Sequence, residues 1–317
     1  MGSKTIERVT VLLGGRSAER EVSLNTGTQV AEALRARGMA VATVDTADDD
    51  FIASIVATRP DVVFIALHGR FGEDGTIQGL LELLDLPYVG SGVLASALAM
   101  NKVMSKHVYA SEGLMSPDYA VVRRNEPYSV PALVEALGSD TVVKPANEGS
   151  SVGMTIVHDP ELLGEAIEVA FRHDPLVLVE RFETGVEVTI GVIGNDDPVA
   201  LPTLEIVPVN HFYDYESKYV PGMSRHIIPA GVSEAARVEC QRLAVEAHRA
   251  LGCSGMSRSD TIVTPEGTVF LLETNTIPGM TKTSLLPDAA AAAGIAFPEL
   301  CERLVRLGLD SWDSRRS

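Results

Sequence analysis

The chain has 317 residues, a formal net charge of -17 and 45% hydrophobic residues. That length supplies ample core for two or three domains, and the acidic balance excludes a general binder of nucleic-acid backbones, which needs clustered Lys and Arg. Cys240, Cys253 and Cys301 form no CxxC pair, which excludes a disulfide framework and a cysteine zinc site and leaves buried thiols of a reducing, cytoplasmic compartment.

Val9–Leu13 is too short for the apolar region of a secretory signal, and position 6 is Ile where a myristoylation start has Ser or Thr. The run reads as a first strand ending at Gly14-Gly15, followed by a helix from about Ser23 to Arg37. Val41–Val44 and Val62–Leu67 read as strands, Ile77–Leu84 as a helix and Pro87-Tyr88-Val89 as a brief strand. Apolar strands alternating with amphipathic helices predict a parallel sheet covered on both faces. Ligands gather at the carboxyl ends of such strands, where Gly14–Glu19 and His68–Asp74 lie.

A second region begins near Ala95. Ser96–Glu112 reads as one helix carrying Lys102 and Lys106, and Thr141–Pro145 as a strand leading into the glycine- and serine-rich hairpin Asn147–Gly153. A helix over Leu162–Arg172 and a strand over Leu176–Glu180 follow. From about Glu187 strands predominate, until a helix over Arg237–Leu251 and strands over Asp260–Val263 and Val269–Glu273. Ala289–Ala293 suits a helix, and the polar tail Asp310–Ser317 is expected to fray. No apolar run approaches the length of a membrane span.

The most telling stretch is Leu271–Thr281. Glu273 and Asn275 are two residues apart, so in a strand both point to one face. With Asp260 on a preceding strand, they offer the oxygen donors that suit Mg²⁺, an ion that shares its shell with water and phosphates. Three such groups on core-like strands are costly to bury without a cation. Pro278-Gly279 then forms a turn where backbone N–H groups can approach a ligand. Neither a GxxxxGK[ST] loop nor a GxGxxG turn is present, so nucleotide chemistry would need another handle. Lys144 on a strand, followed by the Gly149–Gly153 hairpin, can meet phosphate oxygens, although ordinary hairpins share this composition. Glu180 or Glu187 can accept from ribose hydroxyls or an adenine amine, or be solvated strand-end carboxylates. Arg258 shares a strand face with Asp260, as an ion pair or as a donor to a developing oxyanion.

Five segments carry a resemblance. Leu12–Leu24 (LLGGRSAEREVSL), Ala66–Gly75 (ALHGRFGEDG), Lys144-Pro145 with Glu148–Gly153 (EGSSVG), Phe212–Tyr219 (FYDYESKY) and Glu273–Thr281 (ETNTIPGMT) resemble, in order, the D-alanine–D-alanine ligases. These are ATP-grasp enzymes of peptidoglycan precursor synthesis. The resemblance implies an α/β (α+β) ATP-grasp fold in three domains. Residues 1–100 would form an N-terminal parallel α/β substrate-binding domain. Residues 101–185 would form a central ATP-grasp subdomain, and 186–317 a C-terminal subdomain with lid loop and metal site. It implies that Lys102, Lys144 and Ser151 contact ATP phosphates, that Glu180 and the backbone near Phe182 hold adenine, and that Glu187 holds ribose. Phe212 and Lys218 would touch ATP from the lid. Asp260, Glu273 and Asn275 would hold two Mg²⁺ ions, with Mn²⁺ a substitute.

For catalysis the resemblance implies that Glu19 anchors the ammonium of the first D-alanine and that His68 lies near its carboxylate. Ser150 and Tyr219 would link to Glu19, and Tyr213 would sit on the lid over the substrates. Arg258 and the Gly279 N–H would stabilise the tetrahedral oxyanion, while Ser284 and Leu285 would receive the second D-alanine. A homodimer is implied, with small-molecule substrates and no nucleic-acid or membrane partner. Asn101 stands where Asp is common before Lys102, Met256-Ser257 precede Arg258 in an unfamiliar form, and Lys282 adds charge near the acceptor carboxylate. The alternatives are a specialised D-amino-acid ligase with another acceptor and an inactive ATP-grasp binding protein.

Overall fold

A computed structural model describes residues 6–149, 152–208, 224–281 and 284–316. Among these residues three sheets are formed. The first contains β1 (Arg8–Leu13), β2 (Ala40–Asp45), β3 (Val62–Ile65) and β4 (Tyr88–Val89), all parallel, in the order β2-β1-β3-β4. β1 after Arg8 and all of β3 are buried, as continuous apolar runs in a doubly covered parallel sheet should be. The helix Arg20–Ala36 lies so close to β1 that a Cβ on Gly27 would stand 2.5 Å from the Leu13 Cβ.

The second sheet is antiparallel. It contains β5 (Tyr119–Arg123), β6 (Thr141–Pro145), β7 (Thr155–Val157) and β8 (Leu176–Arg181) in the order β5-β8-β6-β7. β6 and β7 flank the hairpin expected from the sequence. The third comprises β9 (Val186–Gly194), β10 (Val199–Ala200), β11 (Leu204–Pro208), β12 (Ser224–Ile227), β13 (Gly255–Val263) and β14 (Val269–Asn275). Its order is β12-β11-β9-β13-β14, with β10 on β9. The helix Glu234–Ala250 covers it, with Cys240, Leu243, Ala244 and Ala247 against Val188, Ile190 and Val192. Its N-terminus is capped by Ser233, whose Oγ accepts from the Ala236 N–H at 3.2 Å. Cys240, Cys253 and Cys301 are buried free thiols, as the composition implied.

Two readings of the sequence need correction. The single helix expected over Ser96–Glu112 is two, Val93–Met100 and Lys102–Ser111, broken at Asn101. Asn101 takes an extended conformation and its side chain accepts from the Met104 N–H at 3.0 Å. An Asn that caps from its own side chain favours a new helix start over continuation. The tail expected to fray is instead helical through Arg316, within the helix Phe297–Arg316. Leu300, Cys301, Leu304, Val305, Gly308, Leu309 and Trp312 form one buried stripe at helical spacing. Trp312 meets Tyr88 edge-on at 5.9 Å, and Gly308 lets the helix approach the Tyr88 carbonyl, which would lie 2.7 Å from a Cβ. The tail's polar residues occupy the outer face of that helix. No described helix is long and apolar enough to cross a membrane.

Candidate active site

The loop after β1 is tied down by Asp45 at the end of β2. Its carboxylate accepts from the Gly15 N–H at 3.1 Å, the Ala47 N–H at 2.9 Å and both Arg20 amino groups at 2.9 and 2.6 Å. The Arg20 hydrogen bonds hold the Asp45 carboxyl down at about 2. This clamp fixes Glu19 immediately ahead of the helix Arg20–Ala36, where the carboxylate is nearly buried. Gly69, in the left-handed region at φ 69, passes so close that a Cβ there would stand 2.5 Å from Glu19 Oε2.

His68, at the end of the loop after β3, is 5% exposed. Its Nδ1 lies 3.2 Å from Glu73 Oε1 and its Nε2 3.2 Å from Thr26 Oγ1. Burial, with the Glu19 charge nearby, pushes the Glu73 carboxyl up, against the His68 hydrogen bond. Sequence reasoning assigned Glu73 no role. The available signal was its place five residues beyond His68 in one tight turn, reachable only once that turn was known to fold back.

On the third sheet, Asp260 of β13 stands opposite Glu273 of β14, and Arg258 opposite Asn275. The Arg258 guanidinium donates to Asp260 through Nε at 3.0 Å and Nη2 at 2.8 Å, and the Thr189 hydroxyl donates to Oδ1 at 2.5 Å. The ion-pair reading of Arg258 is therefore met. The Glu273 carboxylate lies 3.9 Å from Lys102 Nζ. Asn275 Oδ1 accepts from the Ile277 N–H at 2.8 Å, shaping the turn toward Gly279. Among the described residues no three His, Cys, Asp or Glu side chains gather as a complete metal cage. Two facing carboxylates and an amide still fit a hard cation that takes its remaining oxygens from phosphates and water.

Beyond Gly279, Ser284 precedes the helix Leu285–Ala292. Its Oγ lies 2.8 Å from Thr281 Oγ1 and accepts from the Thr281 N–H at 3.0 Å. Glu19, His68, Lys102, Arg258, Gly279, Ser284 and Leu285 all line one small pocket.

A larger cavity of about 520 Å³ adjoins it, between the second and third sheets. Val142, Met154, Ile156, Phe182, Ile206 and Leu272 supply apolar walls, with Lys144, Glu180 and Glu187 as polar groups. Such a volume suits a nucleotide. Glu180 is buried and receives Lys106 on one oxygen and Lys144, at 2.5 Å, on the other. Burial pushes its carboxyl up, but the two ammonium groups win and hold it at about 2. The Phe182 N–H donates to the Asp140 carbonyl at 3.0 Å, continuing the pairing of β8 with β6. That N–H is thus engaged within the protein, which narrows the backbone contact expected at Phe182. Lys102, Glu148 and Glu273 line both the pocket and the cavity. Lys102 also donates to the Glu148 carbonyl at 2.5 Å. Ser150, Ser151, Phe212, Tyr213, Lys218, Tyr219 and Lys282 lie outside the described residues.

A parallel α/β layer followed by two antiparallel sheets that close on a nucleotide-sized cleft defines an ATP-grasp protein. Residues 108–306 match the family model of the D-ala D-ala ligase C-terminus, and residues 46–91 that of its N-terminus. A D-alanine–D-alanine ligase of Pelotomaculum thermopropionicum is 50% identical over 315 residues, covering 98% of this chain and 99% of its own. The crystal structure of the Bacillus anthracis D-alanine–D-alanine ligase superposes with a TM-score of 0.87 at 32% identity, covering 98% of this chain and 99% of that one. Its ATP complex superposes with a TM-score of 0.85 at 30% identity, with the same coverage. The chain belongs to the D-alanine–D-alanine ligase family.

Proposed function

We propose that this protein joins two D-alanines with ATP, through a D-alanyl phosphate, for peptidoglycan precursor synthesis. The observation that carries the reading is the meeting of a nucleotide-sized cavity with a small polar pocket over Lys102, Glu148 and Glu273. A phosphoryl donor in the one can thereby face a carboxylate in the other. The division into residues 1–100, 101–185 and 186–317 belongs to the same proposal, as do a homodimeric state and a cytoplasmic location.

Joining a carboxylate to an amine in water requires activation of the carboxylate. In the first step a carboxylate oxygen of one D-alanine attacks the γ-phosphorus of ATP and ADP leaves. Glu19 holds that substrate's ammonium through a charge-assisted hydrogen bond, and His68, steadied by Glu73 and Thr26, stands by its carboxylate. Lys102 and Lys144 spread the phosphate charge. Asp260, Glu273 and Asn275 would hold two Mg²⁺ ions, with Mn²⁺ a substitute, which when bound neutralise phosphate charge. In the second step the amine of the other D-alanine attacks the acyl carbon. Phosphate departs from the tetrahedral centre and takes up the proton that the attacking amine loses. Arg258 and the Gly279 N–H stabilise the oxyanion, a donor role typically worth about 3 kcal/mol of barrier or more. Ser284 receives the second carboxylate, with Leu285 against the methyl group.

The test is D-alanine-dependent phosphate release from Mg-ATP with the product identified by mass. D-alanyl-D-alanine is expected. Turnover only when another amine or a hydroxy acid is added would make the chain a specialised ligase. No turnover with any D-amino acid would refute the catalytic reading.

A further inference from the structure

Lys106 is a buried cation that the reaction outlined above does not use. It lies one helical turn beyond Lys102 in the helix Lys102–Ser111, on the same face, and is 1% exposed. Its ammonium pairs with Glu180 Oε1, while Lys144 takes Oε2. One carboxylate thus serves two cations in a buried cluster. Burying a lysine carries a desolvation cost that its pairing with Glu180 offsets. Burial pushes the Lys106 ammonium down, with Glu180 opposing, whereas at Lys144 burial also lowers but Glu180, Glu273 and Glu187 together raise it. Lys144 faces the nucleotide cavity and Lys106 stands behind it.

We infer that Lys106 is a positioning residue that engages half of the Glu180 carboxylate, so that Lys144 keeps a net positive charge for an anionic phosphate entering the cleft. Without Lys106, Glu180 and Lys144 form a closed neutral pair, and an incoming phosphate must compete with the carboxylate for the ammonium. With Lys106, the cluster carries one cation in excess, which the phosphate balances. The inference rests on the proposed nucleotide role of the cleft.

The test is equilibrium binding of Mg-ATP and of adenosine to the full chain, as wild type, Lys106→Met, Glu180→Gln and the double variant. Met keeps the unbranched stem and removes the charge. Lys106→Met should weaken ATP about tenfold and adenosine by less than about twofold, because adenosine has no phosphate for Lys144 to meet. In the Glu180→Gln background the same change should weaken ATP by less than about twofold, as expected for residues acting through one another. The unfolding midpoint of the ligand-free Lys106→Met protein should not fall, since the buried cluster then holds one cation per carboxylate. Lys106→Gln, which keeps a donor to Glu180 and removes the charge, carries the same test should the Met variant misfold. Unchanged ATP affinity, equal losses for ATP and adenosine, or an equal loss in the Glu180→Gln background would each overturn the inference while leaving the nucleotide site intact. A wild-type chain that binds neither ligand would overturn both.

Discussion

Gly69→Ala should damage the first-substrate site through Glu19 without touching the nucleotide cleft. Gly69 has φ 69, and an alanine Cβ there would stand 2.5 Å from Glu19 Oε2. Ser17 Cβ, 3.5 Å from the same point, limits retreat of the Gly69 backbone. The left-handed conformation costs an alanine about 1 kcal/mol, which appears as stability. To restore ordinary contact the Glu19 carboxylate must withdraw by roughly 1 Å. At that distance its charge-assisted hydrogen bond to the substrate ammonium is lost, a term of about 1.5–3 kcal/mol. The expected fall in kcat/KM for the first D-alanine is therefore about 10- to 150-fold. The assay is steady-state phosphate release against D-alanine at saturating Mg-ATP, with Mg-ATP affinity as the internal control and the unfolding midpoint in parallel. A lowered midpoint with unchanged kcat/KM would refute Glu19 as the ammonium anchor. A parallel loss of ATP affinity would show that the substitution deforms more than the pocket.

Gly279→Ala places a Cβ 2.9 Å from Ser284 Oγ. Shifting that hydroxyl should raise the acceptor KM about 3- to 10-fold at unchanged ATP affinity, as loss of one hydrogen bond requires; equal effects on both substrates would count against the Ser284 assignment. Asp45→Asn should lower the unfolding midpoint at pH 7 by a few degrees. The folded Asp45 carboxyl sits at about 2 against an ordinary 3.8, so its stabilisation is complete above about 4 and is lost as pH falls through about 2. Melting curves of the two proteins should therefore converge in acid, and a constant gap down to pH 2 would contradict the Arg20–Asp45 clamp. Trp312→Ala removes a side chain that is 5% exposed and packed on Tyr88, and should cost about 3–5 kcal/mol in urea unfolding. A loss near zero would mean that the terminal helix is not docked in solution.

The parallel sheet was legible because its strands are buried on both faces and read as unbroken apolar runs, as in β3. The shared face of Glu273 and Asn275 was legible for a related reason, since strand periodicity puts alternate residues on one side, whereas the register that sets Asp260 opposite Glu273 depends on how the two strands pair. The break at Asn101 was not, because an apolar stretch on either side keeps a helical period while a single capping bond decides the boundary. The docked tail was overlooked through composition. Asp310, Asp313 and the arginines near the end are polar, yet Gly308, Leu309 and Trp312 continue the three- and four-residue spacing that begins at Leu300. Glu73 and Lys106 escaped a role for another reason, which is that neither meets its partner through strand or helix periodicity. Glu73 meets His68 only when the loop folds back, and Lys106 meets Glu180 across 74 positions of chain.

That last pairing bears on how a chain of net charge -17 can receive a polyanion. The total charge governs long-range approach, which salt screens within about 10 Å at ordinary ionic strength. Affinity at contact is set by what is buried beside the ligand. Here Lys102, Lys106 and Lys144 converge from one helix and one strand on a cleft wall where Glu180 and Glu273 are the facing anions. Each lysine is thus held in place by a carboxylate, so little ordering remains to be done when a phosphate arrives. Glu273 faces Asp260 across adjacent strands, and that pair of carboxylates would repel a phosphate that came without a cation. An acidic protein with this wall should consequently bind nucleotide far better with a divalent ion than without one. Titration of ATP in the presence of a chelator, compared with Mg-ATP, measures the difference. Equal affinity in both would mean that Asp260, Glu273 and Asn275 do not serve as a metal site.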